Sequence, residues 1–328
     1  MVDADKMKSN YDRLTTDLLD WINSTIVKLE DRNFPNSLEG IQSLLIHFAR
    51  YRTQEKPPKY KERSEIEALF FNINTQLKEL RQPAFNPADG KLVQDIERAW
   101  ETLERAEHSR EVALRSELRR QERLEQLFYK FERKSVLREG YVREMIQVLS
   151  DPRYGSNLAQ VDATVKKHEA ISADILARQD RVNDLTQMCD ELVNENYRNS
   201  DRVIKREAEI QKNWKELLGL LEKHKFNLNR MVSIMALLRE IDTALASMQQ
   251  LKADLSTADT GIHLVAVEEL LHRHALQELQ VSSLGETERR LHRLGENTTV
   301  QNPKEQELLT KKLNELSATY KDLQVSTS

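Results

Sequence analysis

The 328-residue chain has a single cysteine, Cys189, so no internal disulfide can form. That fits a reducing compartment, the cytoplasm, better than secretion. The sequons Asn23-Ser24-Thr25 and Asn297-Thr298-Thr299 are then chance matches. No apolar run approaches the roughly 20 residues that a membrane-spanning helix needs. The first residues, Met1-Val2-Asp3-Ala4-Asp5, lack the apolar stretch of a signal peptide. Glycine (8) and proline (7) are scarce and aromatics make up 6%, which argues against a loop-rich, compact enzyme. Fifty Lys and Arg stand against 54 Asp and Glu, net charge −4, so there is no basic excess to hold nucleic acid. What is plentiful is charge of both signs, 32% of residues, the composition of long solvated helices. The chain stops within about a turn of its last helical pattern and is expected to belong to something longer.

A pattern recurs in register along this charged background. Tyr141, Leu158, His168 and Trp214 return as Ser247, Leu264, His274 and Tyr320, each 106 residues later. Trp21 to Leu38, Tyr141 to Leu158 and Ser247 to Leu264 are each 17 residues. A period this long marks an array of repeated modules, here three copies end to end. The modules are placed at residues 1–115, 116–225 and 226–328.

Each module reads as three helices. Tyr11, Leu14, Leu18 and Trp21 mark the first helix of repeat one. Third helices carry Ile96, Trp100 and Leu103, then Ile210, Trp214, Leu217 and Leu221, then Leu309, Leu313, Leu316, Tyr320 and Leu323. Spacings of four and three are the seam of a helix packed in a bundle. Breakers separate the helices at matching places: Asn33 to Ser37, Asp151 to Gly155 and Ala258 to Gly261 form the first loop of each repeat. Pro83 to Gly90, Arg198 to Asp201 and Gly295 to Pro303 form the second.

A third loop is missing. From Lys91 to Ser150 there is no proline and only Gly140, so the third helix of repeat one should run unbroken into the first helix of repeat two. At 1.5 Å per residue those 60 residues would span about 90 Å. Asp201 to about Leu255, interrupted only by Gly219, should do the same. The predicted fold is all-α: tandem three-helix bundles joined by continuous linker helices into an elongated rod.

The chain resembles the spectrin superfamily over its whole length, as three spectrin repeats with Trp100 and Trp214 as third-helix landmarks. Repeat one is similar to the first repeat of β-spectrins, heavy or divergent types included. The resemblance rests on four stretches: Asn36-Ser37-Leu38-Glu39-Gly40, Tyr51 to Lys59 with its Lys56-Pro57-Pro58-Lys59 core, Gly90-Lys91-Leu92-Val93, and Ala99 to His108. α-Actinins share part of this, including the Lys-Pro-Pro-Lys segment. The chain departs from the family in carrying Tyr141, Ser247 and Tyr320 where tryptophan is usual.

Trp21, Trp100, Tyr141, Trp214 and Tyr320 sit on the apolar seams and are expected to be core residues. His168 and His274 recur at the repeat period, which suggests a shared structural position. His272-x-His274 is no metal pair, because residues two apart on a helix diverge and zinc wants three or four ligands. Cys189 has no partner that would make it a nucleophile. There is no phosphate-cradling glycine loop, so neither catalytic residues nor a cofactor or metal site are expected.

The stretch from Arg105 to Glu139 is dense in charge. It holds Arg105, Arg110, Arg115, Arg119, Arg120, Arg123, Lys130, Arg133, Lys134 and Arg138, with seven glutamates interleaved. It reads either as a solvated linker helix laced with i,i+4 pairs or as a partner surface steered by charge, the first nine cations being candidate contacts. A length anomaly favours the second reading. Trp100 to Tyr141 is 41 residues, whereas Trp214 to Ser247 is 33. Eight extra residues add about 12 Å and rotate the second bundle by about 80°. Leu38 to Trp100 is also longer, 62 residues against 56 for the other repeats.

The resemblance implies that such insertions mark repeats that begin lateral, antiparallel pairing of β-spectrin with the C-terminal repeats of α-spectrin in the submembrane cytoskeleton. Actin binding would need domains that this sequence does not contain. Removing Glu111 to Leu118 is expected to preserve helicity and abolish pairing. The rival readings are an α-actinin-like homodimerising crosslinker rod and a repeat scaffold for membrane lipids and adaptor proteins.

Overall fold

The computed structural model describes residues 2–151, 153–256 and 264–327. Pro152 and the first loop of repeat three, Ala258 to Gly261, lie outside the described residues. The described residues form nine α-helices and no strand: α1 (Val2–Glu30), α2 (Leu38–Arg50), α3 (Lys56–Glu79), α4 (Val93–Leu149), α5 (Leu158–Ala177), α6 (Gln179–Asn194), α7 (Ser200–Ser256), α8 (Leu264–Asn297) and α9 (Pro303–Thr327). As the missing breakers predict, α4 and α7 are continuous helices of 57 residues each. The expected repeat boundaries, after residues 115 and 225, fall inside these two helices, where no break occurs. Two compact units result, Met1–Val136 with Asp184–Ala208, and Leu137–Asn183 with Glu209–Ser328.

In the first unit α1, α3 and α4 close a core on Leu18, Ile22, Ile66, Ile73, Ile96, Trp100 and Leu103. The buried seam of α1 runs Tyr11, Thr15, Leu18, Ile22, Thr25 and Leu29. Leu14 and Trp21, which the sequence pattern favours, are half-buried beside it. Two threonines at seam positions disguise its phase, although Thr25 satisfies its hydroxyl on the Trp21 carbonyl at 2.7 Å. The second loop is anchored by aromatic packing. Phe85 meets Tyr11 edge-on with centroids 5.4 Å apart, and the Tyr11 hydroxyl donates to the Lys91 carbonyl at 2.8 Å.

The second helix of repeat one is not uniform. Between α2 and α3 the turn Tyr51–Glu55 widens to π geometry, and the Lys56 N–H bonds back to the Tyr51 carbonyl. Pro57 and Pro58 follow at once. Proline lacks an N–H and its ring clashes with the carbonyl four residues back, so a widened turn before the pair lets the helix continue.

The second helix of repeat two is also broken, at Arg178, whose φ and ψ are −96° and 0°. Its guanidinium reaches back to Asp174 at 3.1 Å and lies over the Tyr141 ring, 4.3 Å from the centroid. The Tyr141 hydroxyl donates to the same Asp174 at 2.8 Å, and the Trp214 indole donates to Gln179 Oε1 at 2.7 Å. One period later these positions are Ser247, Gln280, Leu284, Gly285 and Tyr320. There the ring, carboxylate and cation are all absent, and α8 passes Leu284 without a break.

Gly285 has its own reason. A Cβ at this position would overlap the Tyr320 hydroxyl and lie 2.6 Å from Cζ. Gly→Ala inside a helix ordinarily stabilises by about 1 kcal/mol. Here overpacking against a ring should reverse the sign, and Gly285→Ala is expected to destabilise by about 1–3 kcal/mol. Urea denaturation followed by circular dichroism reads this directly; a stabilised variant would show that the ring moves freely.

Candidate protein-docking surface

The nine candidate cations all lie on α4, but its winding sends them in different directions. Trp100 at its start is buried, with Lys56 and Arg63 over its ring at 5.8 and 5.7 Å. Beyond it, Arg110 turns inward. It donates to the Asp31 carbonyl and lies 5.1 Å over the Phe34 ring, which ties α4 to the first loop of repeat one. Burial and the nearby Arg32 lower the pKa of this guanidinium.

Ten residues on, Arg120 and Arg123 tie the same helix to the far end of α6. Arg120 binds Glu195 at 3.1 Å and Glu117 at 2.7 Å, while Arg123 binds Glu191 at 2.8 Å and Glu195 at 3.0 Å. The two guanidiniums hold the Glu195 carboxyl below its ordinary range. Between them Gln121 is buried and donates to Asn36 Oδ1 at 3.0 Å, and the Asn36 amide donates onward to the Asn196 carbonyl at 2.6 Å. Tyr197 completes the contact. Its ring packs on Phe128 with centroids 5.2 Å apart, and its hydroxyl donates to Glu125 at 3.2 Å. The first loop of repeat one and the connection 195–199, which begins three residues before the expected Arg198 and ends where α7 starts at Ser200, are thus clamped onto one helix.

Lys134 faces Asp184 at 3.5 Å, and Arg115 pairs with Glu111 at 2.7 Å on its own helix. Among the described residues Arg105 only donates to Thr102 at 3.2 Å. Arg119, Lys130 and Arg133 are exposed and have no ion pair among the described residues. At about 100° per residue they share one face of α4, about 26 Å long, with Tyr129 and Val136. Those two apolar side chains are 67% and 58% exposed. Glu122 is the one acid on this face between Arg119 and Val136. The nine cations therefore divide into members of internal ties, chiefly Arg110, Arg120, Arg123 and Lys134, and a free set that flanks exposed apolar surface.

Sequence reasoning missed Asn36, Gln121, Asn196, Glu191, Glu195, Tyr129 and Val136. An uncharged Gln121 within a charged run was one available signal; Tyr129 and Val136, seven apart and off the core seam, were another.

The remaining candidates lie elsewhere. Trp214 is buried, whereas Trp21, Tyr141 and Tyr320 are half-buried. His168 is buried against His224, but His274 is exposed and faces Glu278 at 3.4 Å, so the two recurring histidines differ in setting. Cys189 is buried, and burial raises its thiol pKa. Among the described residues no group of three or more His, Cys, Asp or Glu is placed to hold a metal ion. No described helix is long and apolar enough to cross a membrane.

Repeated three-helix units sharing unbroken helices, with ion-paired interhelical ties, define a tandem helical-repeat protein. The family model for the spectrin repeat matches residues 6–116, 126–230 and 234–328, and the chain belongs to the spectrin-repeat family. Among known proteins it is 42% identical over 285 residues to a spectrin beta chain of Drosophila melanogaster, covering 87% of this chain and 12% of that protein. It is 40% identical to an erythrocytic spectrin beta chain of Mus musculus, covering 87% and 13%. With alpha-actinin-1 of Gallus gallus it shares 37% over 227 residues, covering 69% and 25%. The chain thus spans about an eighth of the spectrin beta chains that it matches.

Proposed function

We propose that this chain is a non-catalytic cytoskeletal rod segment of three repeats, 1–115, 116–225 and 226–328, whose first two repeats dock laterally and antiparallel on the C-terminal repeats of an α-spectrin. The observation that carries the reading is the α4 face on which Arg119, Lys130 and Arg133 have no ion pair beside exposed Tyr129 and Val136. Exposed cations steer encounter with an acidic helix, and desolvating the apolar side chains between them supplies a seam for close contact. The clamp from Arg110 to Tyr197 supports the reading, because it fixes the rotation of α4 relative to the loops on either side. The cell compartment proposed is the cytoplasm, at the submembrane cortex.

Likeness to an alpha-actinin keeps a second reading open, self-association into a homodimer. Sedimentation velocity on this chain, alone and mixed with the C-terminal repeats of α-spectrin, separates the two. A monomer that shifts to a one-to-one complex is the expected result. A tight homodimer alone moves the reading to the crosslinker rod, and a monomer in both samples overturns docking.

A further inference from the structure

His168 on α5 and His224 on α7 are 5% and 9% exposed. Their Nδ1 atoms are 3.0 Å apart, and the rings stack with centroids 4.9 Å apart. A contact this short needs one N–H donor and one lone pair, so the neutral pair carries a single proton on Nδ1. His168 Nε2 is buried with no hydrogen-bond partner among the described residues. A buried lone pair is tolerated better than a buried N–H. His168 is therefore assigned the Nδ1–H tautomer, and His224 accepts at Nδ1 with its own proton on Nε2.

The pair sits where the first loop of repeat two meets the third helix. The Tyr154 ring lies 5.3 Å from His224, and its hydroxyl accepts from the Asn227 amide at 3.2 Å. A cavity of about 80 Å³ adjoins both rings. Its wall includes Val148 and Leu149 from the end of α4, Asp151 and Arg153 from the loop, and Lys167 from α5. Asp151 and Arg153 are engaged with each other at 2.6 Å. Glu169 on α5 and Glu222 on α7 favour the charged imidazole at His168, and Lys225 on α7 opposes it. Neither ring has a hydrogen bond to a carboxylate among the described residues. The first added proton would leave a buried N–H on His168 without a partner. A second would set two imidazoliums face to face across 3.0 Å, where neither nitrogen can accept.

We propose that the His168–His224 pair is an acid-sensitive latch that holds the first loop of repeat two on α7 and releases it when the pair is protonated. The direction comes from linkage. Both imidazoles are lowered from the ordinary 6.5, His168 by burial and then Lys225, His224 by burial and then His168. The unfolded chain thus binds more protons than the folded one. The stabilisation is complete above pH 6.5 and is lost as pH falls through the lowered folded values.

The test is hydrogen exchange on the full chain at pH 7.5 and 5.5, corrected for intrinsic rates, beside a His168→Phe/His224→Leu variant. Amides in 153–165 are expected to open at least about ten-fold more often at pH 5.5 in the natural chain, and not in the variant. Equal pH dependence in both would overturn the latch. Should the variant fail to fold, proton NMR titration of the natural chain decides. Two imidazoles that titrate below 6.5 while the Tyr154 resonances shift with them support it; values at or above 6.5 sink it.

Discussion

Trp100→Ala should destabilise the first unit by about 3–5 kcal/mol, and Trp21→Ala by less than half of that. Both residues occupy recurring aromatic positions, so sequence alone ranks them equally. Burial separates them. Trp100 is 2% exposed; its ring touches Tyr60, Lys56 and Arg63, and its indole donates to Glu104 at 3.1 Å. Truncation leaves a cavity bounded by helices that cannot collapse, so the lost transfer energy and the cavity term add. Trp21 is half-buried, stacked on Tyr51 at 6.5 Å with Lys59 over its face at 5.8 Å. Its loss removes part of an apolar area and one cation–π contact, about 0.5–1 kcal/mol at an exposed site. Urea unfolding of each single variant, followed at 222 nm, measures the difference. Equal costs would mean that the half-exposed ring organises the core as strongly as the buried one.

Why the sequence ranked them equally shows where its information ends. Periodicity locates a seam along a helix, and it placed the third-helix stripes, while the missing breakers placed α4 and α7. It does not fix the phase of a seam when polar residues occupy seam positions, as Thr15 and Thr25 do in α1. Irregular turns escape it too. The π turn before Pro57 answers a local proline pair that periodicity does not register, and the break at Arg178 has a distant partner in Tyr141. The clamp is the extreme case, with Asn36 and Asn196 separated by 160 residues. Charge density singles out the segment from Arg105 to Glu139. Only the fold shows which of its cations an internal carboxylate or carbonyl already occupies.

That division also changes how docking should be probed. Removing Glu111 to Leu118 is a poor test, because it takes out Leu114, a fully buried member of the first core. Charge reversal is cleaner. The pair Lys130→Glu/Arg133→Glu should leave stability within about 0.5 kcal/mol, since neither residue has a hydrogen bond or ion pair among the described residues. Affinity for an acidic partner helix should fall about ten- to hundred-fold at low salt, because each reversal removes an attraction and adds a repulsion. The loss should shrink as salt rises, since exposed charges are screened over about 10 Å at 0.1 M. Arg120→Glu/Arg123→Glu should behave in the opposite way, costing stability by placing two new carboxylates beside Glu117, Glu191 and Glu195. Calorimetric titration with the C-terminal repeats of α-spectrin, beside urea melts of both variants, reads the two axes separately. If the Lys130/Arg133 reversal leaves affinity unchanged, the exposed face of α4 is solvated surface and docking must use another helix.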